Sequence, residues 1–350
     1  MSQSLRRDLP LDGLRAVSVM FVILSHVMSL HGQGWIGKLG GVGVGVFFVI
    51  SGYIITRVFA HDLAREGGRP IAAFYIKRAF RILPVLIAYL MVINLLYLAG
   101  LAAPDFSGTF CSLIFLRNFS FCPGLPITTH FWSLSVEEQF YLWWPWVFIL
   151  LNYLGHLRLG VVCFFIASMM LTVWSAYHGV WLLPGITRNL PFITAGITLA
   201  LFEPGIRTFL DRQRLIAVLA SPVLILLALS WLEVPYITDF GLYEAGCFVV
   251  APLTFALMVA VRSHGWLSQA LSLAPVSYIG RVSFSLYVWQ QLFLVSGEQV
   301  PLLKELDPWL LIAMTFSVAI LSHHVIEASS LVLRNRVLDR LNKLPSKALV

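Results

Sequence analysis

An arginine and a histidine lie in the first apolar segment of this chain, where neither side chain is compatible with lipid. They are Arg15 and His26, eleven residues apart in the stretch DGLRAVSVMFVILSHV. On an α-helix this separation makes three turns plus about 20°, so both side chains share one face, about 16 Å apart along the axis. A cation and an imidazole in such a segment are costly unless they face protein or a water-filled cavity. Arg15 and His26 are therefore the first candidates for a functional site.

The composition indicates a membrane protein. Hydrophobic residues make up 59% of the 350 residues and charged residues 12%, whereas soluble domains are about one-quarter charged. Apolar runs of the length that a bilayer core requires recur along the chain. These runs are 14–30, 41–59, 82–102, 134–151, 159–176, 189–202, 215–232, 242–261, 276–295 and 309–328. We therefore expect an all-α polytopic membrane protein with about ten transmembrane helices.

The basic residues predict the orientation of these helices, because Lys and Arg accumulate in cytoplasmic loops. If the N-terminus is cytoplasmic, the opposite side of the membrane holds only Lys38, Arg117, Arg188 and Lys304. Both termini are therefore expected in the cytoplasm, with 331–350 as a short basic tail. The net charge of +7 follows from this topology and from anionic lipid headgroups, so no nucleic-acid partner is expected.

The four cysteines differ in what their positions imply. Cys111 and Cys122 fall in the same outward loop, where an oxidising compartment would allow a disulfide, although two unrelated loop thiols are the alternative. Cys163 and Cys247 lie in predicted spans and are expected to pack as small apolar residues.

The second span is rich in glycine. Gly41, Gly43 and Gly45 alternate in GGVGVGVFFVISGYIIT, and Ser51 follows one turn and a half later. Small residues at such spacings allow either close packing of neighbouring helices or the approach of an extended ligand. Ser51 is a possible nucleophile, but a serine in a membrane helix more often bonds its own backbone.

Two arginines three residues apart lie where the third span is predicted to begin. Arg78 and Arg81, in FYIKRAFRILP, share a helical face. Guanidinium groups placed in this way can bind a phosphate or pyrophosphate. The alternative is that they only anchor the cytoplasmic end of the helix.

Two adjacent glutamates lie at the predicted outward end of the fourth span, in THFWSLSVEEQFYLWWPW. Ser133 or Ser135 could cap a helix, with Glu137 and Glu138 in its first turn, where the helix dipole favours negative charge. Capping explains one carboxylate but not two. A carboxylate in such an apolar setting is suited to general acid or base chemistry.

Aromatic side chains surround these glutamates. Trp132 and Tyr141 are candidates for binding a sugar, whose C–H faces stack on aromatic rings. The alternative is an interfacial aromatic belt, which membrane proteins commonly have.

Five motifs together resemble the membrane acyltransferase-3 family, which contains bacterial polytopic O-acyltransferases. The first is DGLRA followed by the histidine, and the resemblance runs over nearly the whole chain, so that 1–330 is expected to be the family's transmembrane domain. The other four are GVFFVISGYIIT, FYIKRAFRILP, FWSLSVEEQFYLWWP and YIGRVSFSLYVWQQ. Members that resemble this chain O-acylate surface polysaccharides, peptidoglycan or other glycans, which implies the same class of reaction here.

The resemblance also implies roles for the candidate residues. His26 is the expected catalytic base, and Arg15 is expected to bind donor phosphate or to stabilise the oxyanion. From their placement, Glu137 or Glu138 is expected to orient the imidazole or to bind the sugar. The paired-arginine motif, Arg78 and Arg81, is associated with the acyl-CoA donor.

The chain departs from the family pattern at three positions. Gly45 stands where many members have Asp, and Gln290 stands where many have His, so neither position is assigned a catalytic role. The closing pattern keeps Glu327 but has Ser329 in place of proline, which weakens a role for Glu327.

The sequence thus predicts an integral-membrane O-acyltransferase of the bacterial cytoplasmic membrane. We expect it to move an acyl group, acetyl in most members, from cytosolic acyl-CoA to a glycan or glycolipid. The remaining histidines lack metal-ligand spacing, so no metal and no bound cofactor are expected. The alternative is a proton-coupled transporter, because intramembrane His, Arg and Glu also line transport pathways.

Overall fold

The computed structural model describes residues 8–30, 39–64, 69–178, 185–211, 254, 257–261 and 265–343. Within these ranges the regular structure is helical, and no residue is in a β-strand. The helices are α1 (Leu9–Leu30), α2 (Leu39–Leu63), α3 (Pro70–Leu98), α4 (Phe106–Leu113), α5 (Pro126–Thr129), α6 (Phe131–Tyr153), α7 (Leu157–His178), α8 (Ile186–Asp211), α9 (Trp266–Leu271), α10 (Ala274–Leu294), α11 (Pro301–Lys304), α12 (Pro308–Ser322) and α13 (Ala328–Lys343).

Five of the described helical segments are long and apolar enough to cross a membrane, by length and composition. They are Leu9–Met28, Leu39–Leu63, Pro70–Leu98, Leu157–Ser175 and Pro308–Leu341. Each overlaps a predicted span, which supports a multi-pass membrane protein.

The other predicted spans are not among these five segments. Helices α6, α8 and α10 cover 134–151, 189–202 and 276–295 without counting among the five. The prediction at 215–232 lies outside the described residues. So does that at 242–261, including Cys247, except for 254 and 257–261, which are helical.

The chain divides into two compact units, with boundaries inside α2, between α6 and α7, and inside α10. Unit 1 comes from Met1–Ile54 and His156–Ser283. In unit 1 the hydroxyls of α7 bond to α8, which satisfies polar groups that lipid could not. Thr172 donates to the Thr187 carbonyl at 2.5 Å, and Ser168 pairs with Thr194 at 3.0 Å.

Unit 2 comes from Ile55–Gly155 and Phe284–Val350. Helices α3 and α6 run antiparallel in it, as two contacts show. The Tyr89 hydroxyl donates to the Ile127 carbonyl just before α6, at 2.6 Å, whereas Tyr75, earlier on α3, donates to Leu142 further along α6, at 2.5 Å.

The end of the chain is helical for most of the predicted tail. A π-helical turn, His323–Glu327, joins α12 to α13, and α13 continues to Lys343. The Ser330 hydroxyl donates to the Phe80 carbonyl at 2.6 Å, which holds α13 against α3. Residues 331–343 are therefore a helix packed on unit 2, and 344–350 lie outside the described residues.

Candidate functional site

Arg15 and His26 lie on α1, in unit 1. This helix is continuous from Leu9 to Leu30, so the shared face inferred from their spacing is present. Both side chains are partly buried. Unit 2 contains the other four charged candidates, which are Arg78, Arg81, Glu137 and Glu138. The charged candidates therefore fall into two groups, one in each unit.

The glycines of α2 serve close helix packing within unit 1. A Cβ at Gly43 would lie 2.5 Å from the Ser18 carbonyl oxygen on α1. A Cβ at Gly52 would lie 2.1 Å from the Ile193 oxygen on α8. Helix packing, one of the two alternatives for this motif, therefore accounts for these glycines.

Arg78 and Glu138 meet in unit 2. Arg78 Nη2 lies 3.7 Å from Glu138 Oε1, and the Arg78 guanidinium carbon lies 3.9 Å from the centre of the Tyr141 ring. The exposed fractions of the two charged side chains are 21% and 15%. The pair is thus a partly desolvated ion pair with an added cation–π contact. Its Coulomb attraction is stronger than that of a fully exposed pair, because less water screens the two charges.

This contact corrects the predicted depth of both motifs. The arginines were expected at the inner end of a span and the glutamates at the outer end of another. Instead α3 begins at Pro70, so Arg78 lies two turns inside the helix, and its contact with Glu138 puts both at one depth. The expectation failed because apolar runs underestimate the length of helices whose charged side chains pair with one another.

The capping prediction for Ser133 and Ser135 was also wrong. Helix α6 begins at Phe131, and no side chain caps its first turn. Both serine hydroxyls lie inside the helix and donate to backbone carbonyls, at 3.2 Å and 2.8 Å. The glutamates consequently lie near its second turn, where the dipole contributes less.

Glu137 and Trp132 are partly exposed on α6, whereas Tyr141 is buried beneath Arg78. Glu137 also interacts electrostatically with Arg78. One guanidinium is therefore surrounded by two carboxylates and a phenol. The roles predicted for these residues in acceptor binding and catalysis remain predictions.

Arg81 pairs with a different carboxylate. Its Nη1 donates to Oε1 of Glu327, which is completely buried. Oε2 of Glu327 accepts from the Ser285 hydroxyl at 3.2 Å and lies 3.1 Å from His323 Nδ1. Glu327, which the departure from the family pattern had weakened as a candidate, is thus the centre of a polar cluster.

Sequence reasoning missed a second buried carboxylate. Glu203 on α8 accepts a hydrogen bond of 2.6 Å from the Tyr53 hydroxyl of α2, and both residues are buried within unit 1. An ionisable residue in an apolar segment is a functional candidate, as for Arg15 and His26, and Glu203 directly follows the predicted span 189–202. Because the apolar run ends at 202, hydropathy places Glu203 outside the span, in a loop.

The loop between α3 and α6 is closed by a disulfide between Cys111 and Cys122, whose Cα atoms are 5.9 Å apart. Asp105 caps α4 through the Gly108 amide at 3.1 Å and accepts from Thr128 at 2.6 Å. The loop is therefore closed by a covalent bond and tied to α5, just before α6, by polar contacts. In the described part of the chain, no three His, Cys, Asp or Glu side chains gather as a metal site would require.

Comparison with known proteins places this arrangement in a family. The acyltransferase-3 sequence model, described as an acyltransferase domain, matches residues 9–323. "Putative O-acetyltransferase SACOL0978" of Staphylococcus aureus (strain COL) is 26% identical over 309 residues, which cover 80% of this chain and 49% of that protein. Peptidoglycan O-acetyltransferase OatA of Listeria monocytogenes is 26% identical over 352 residues, which cover 91% of this chain and 54% of that protein.

The chain spans about half the length of these relatives. No solved structure matches it. The family model extends from the start of α1 to the π-helical turn, and so includes Arg15, His26, both arginines of α3 and both glutamates of α6. The chain belongs to the acyltransferase-3 family.

Proposed function

We propose that this protein is an integral-membrane O-acyltransferase that moves an acetyl group from acetyl-CoA to a hydroxyl of an exported or cell-surface glycan. The observation that carries the proposal is the family match over 9–323, which spans Arg15, His26, the arginine pair and the glutamate pair. Two relatives named as O-acetyltransferases support acetyl as the transferred group. The Listeria relative's name specifies peptidoglycan, which makes a glycan the preferred class of acceptor.

The reaction is an acyl transfer with a histidine base. His26 removes the proton of the acceptor hydroxyl while that oxygen attacks the thioester carbonyl carbon. The tetrahedral intermediate collapses with cleavage of the C–S bond. The imidazolium then returns its proton to the departing thiolate, so that the products are the acetyl ester and CoA. Arg15, on the same helix face, stabilises the developing oxyanion or binds donor phosphate.

The unit 2 cluster contributes donor and acceptor binding in this proposal. Arg78 and Arg81 bind the phosphates of the donor, and the carboxylates beside them hold the guanidinium groups in defined orientations. Glu137 or Glu138 binds the sugar. Trp132 and Tyr141 supply aromatic surface toward the acceptor, although Tyr141 already carries Arg78 on its face.

The membrane orientation follows the same proposal. Disulfides persist on the oxidising side of a membrane, so the Cys111–Cys122 bridge supports an outward position for the loop between α3 and α6. The start of α3, with the basic residues before it, then faces the cytoplasm, where acyl-CoA is made. We assign the protein to the bacterial cytoplasmic membrane, with both termini inside and about ten spans.

The test is transfer of radiolabelled acetyl from acetyl-CoA by the purified protein in lipid nanodiscs. We expect His26→Ala to abolish transfer and hydrolysis of the donor while CoA binding is retained. His156→Ala is the matched control, because this histidine is exposed between α6 and α7. Its turnover is expected to equal that of the wild type.

Two results would contradict the proposal. Full turnover by His26→Ala would exclude this histidine as the base. Failure of the wild type to bind or consume any acyl-CoA would favour the transporter alternative, which proton-coupled flux in liposomes would then test directly.

A further inference from the structure

Glu327 is a fully buried carboxylate in the π-helical turn between α12 and α13. Three side chains from three other positions converge on it: Arg81 from α3, Ser285 from α10 and His323 one turn before it. Each carboxylate oxygen therefore has a defined partner. A π-helical turn inserts an extra residue into the helix and is frequently found at functional sites.

Stability alone is a weak reason for such a group. Burial of an ion pair costs more desolvation than its attraction usually returns, and apolar residues of similar volume are often equally stabilising. The chain nevertheless keeps a carboxylate at a position without solvent exposure. Among its contacts, this carboxylate holds the Arg81 guanidinium through Nη1.

The pairing leaves part of that guanidinium unused. Arginine has five N–H donors in a planar fork, and only Nη1 of Arg81 donates to Glu327. The Phe284 ring lies 5.7 Å from the guanidinium carbon. Among the described residues, none accepts from Nε or Nη2 of Arg81, and the side chain is 24% exposed. One edge of the fork is therefore accessible to an anionic ligand.

A second arginine adds positive charge at the same place. The bond from Ser330 to the Phe80 carbonyl, 2.6 Å long, holds α13 beside Arg81. Arg334 follows Ser330 by one helical turn and interacts electrostatically with Arg81. Arg334 is oriented by Asn335, whose Oδ1 accepts from Nε and Nη2 at 3.1 Å and 2.9 Å. Arg81 and Arg334 thus bring two positive charges to the same place.

We propose that Glu327 is a positioning residue that directs the open edge of Arg81 toward a phosphate group of the CoA donor, with Arg334 as the second cation of that phosphate site. The inference rests on the proposed function for the identity of the ligand. A lipid headgroup offers the same phosphate chemistry, so the experiment includes an arm that separates the two sources.

The experiment measures CoA binding and acetyl transfer by the full chain in phosphatidylcholine nanodiscs. A second arm measures the thermal midpoint of each variant with phosphatidylglycerol added to the bilayer. The variants are Glu327→Gln, which keeps the shape of the side chain, and Arg334→Gln. The controls are Arg336→Gln, which lies exposed about 200° around α13 from Arg334, and Glu298→Gln, an exposed carboxylate. Size-exclusion profiles and thermal midpoints establish that each variant is folded.

We expect Glu327→Gln to raise the Kd for CoA and the KM for acetyl-CoA about tenfold, the usual loss of one charged hydrogen bond. Because the residue acts on donor binding, kcat at saturating donor stays within twofold. Arg334→Gln raises both constants severalfold, and both controls stay within twofold. A merely structural role would lower the thermal midpoint without this division between KM and kcat.

An unchanged CoA Kd in folded Glu327→Gln overturns the inference. If that variant does not fold, Arg334→Gln decides, because its partly exposed side chain is not needed for the buried cluster. Loss of stabilisation by phosphatidylglycerol, with CoA affinity intact, would assign the site to a headgroup and overturn the donor assignment. A wild type that binds CoA but transfers nothing refutes the proposed function alone, whereas one that binds no CoA refutes both.

Discussion

The contact of α2 with α8 gives a sharp prediction about stability. A Cβ added at Gly52 would lie 2.1 Å from the Ile193 carbonyl oxygen and 3.0 Å from its carbon. Ordinary contact begins near 3.4 Å, so the two backbones must separate by roughly 1.3 Å. A backbone carbonyl inside a helix cannot rotate away. Gly52→Ala therefore opens a tightly packed interface rather than moving one side chain.

Overpacking of this kind costs about 1–3 kcal/mol. Subtracting alanine's helix preference leaves a net loss of at most about 2 kcal/mol, so the thermal midpoint is expected to fall by up to roughly 4 °C for a chain of this size. The sign is informative, because alanine is otherwise favoured over glycine inside a helix by about 1 kcal/mol. A fall must therefore come from the clash. The assay is thermal unfolding in detergent micelles, followed by intrinsic tryptophan fluorescence.

Gly297→Ala is the matched control. The nearest atom to its Cβ would be Cα of Lys304 at 3.5 Å, which is an ordinary contact, so we expect no measurable shift. Gly196→Ala tests the same interface from α8, because its Cβ would lie 2.0 Å from the Val49 oxygen. Once one alanine has separated the two helices, the second alanine lowers the stability by less. The double variant is therefore expected to lose less stability than the two single variants added together. A midpoint for Gly52→Ala equal to or above that of wild type would refute the packing described here.

Three further predictions concern unit 2. Cys122→Ser removes the disulfide and destabilises the loop by about 2–3 kcal/mol. Maleimide labelling is expected to modify the freed Cys111 thiol without added reductant. Asp105→Ala removes the α4 cap and the Thr128 contact, so amide exchange in 106–125 is expected to quicken at least tenfold, whereas unchanged protection would contradict the cap. Glu138→Gln leaves Arg78 poorly compensated at a cost of roughly 1–3 kcal/mol, and Arg78→Gln in the same chain recovers part of it. A coupling energy near zero in that double-mutant cycle would show that the pair does not interact.

Much of the architecture could be predicted from local sequence. The shared face of Arg15 and His26 depends only on helical periodicity, and α1 is continuous as expected. The five apolar helical segments follow from length and composition. The disulfide was one of two alternatives, and sharing a loop sufficed to bring Cys111 and Cys122 within bonding distance.

The ends of helices could not be predicted in the same way. Hydropathy assigns charged residues to loops, so the runs began at 82 and 134 rather than at Pro70 and Phe131. Arg78 and Glu138 remain inside helices because each supplies the charge that the other needs. That compensation is between residues 60 positions apart, and no local window contains both.

The separate partners of Arg78 and Arg81 are the part of the site that the sequence predicted least well. Two arginines three residues apart suggest a single clamp with both guanidinium groups directed at one phosphate. In the structure the first is held by Glu138 of α6 and the second by Glu327, 246 residues further along the chain. Each orientation therefore depends on a separate helix, so a change in the π-helical turn alters only Arg81, whereas a change in α6 alters only Arg78. The motif consequently consists of two separately positioned cations, so the donor phosphate binding proposed for it is expected to weaken in two separate steps.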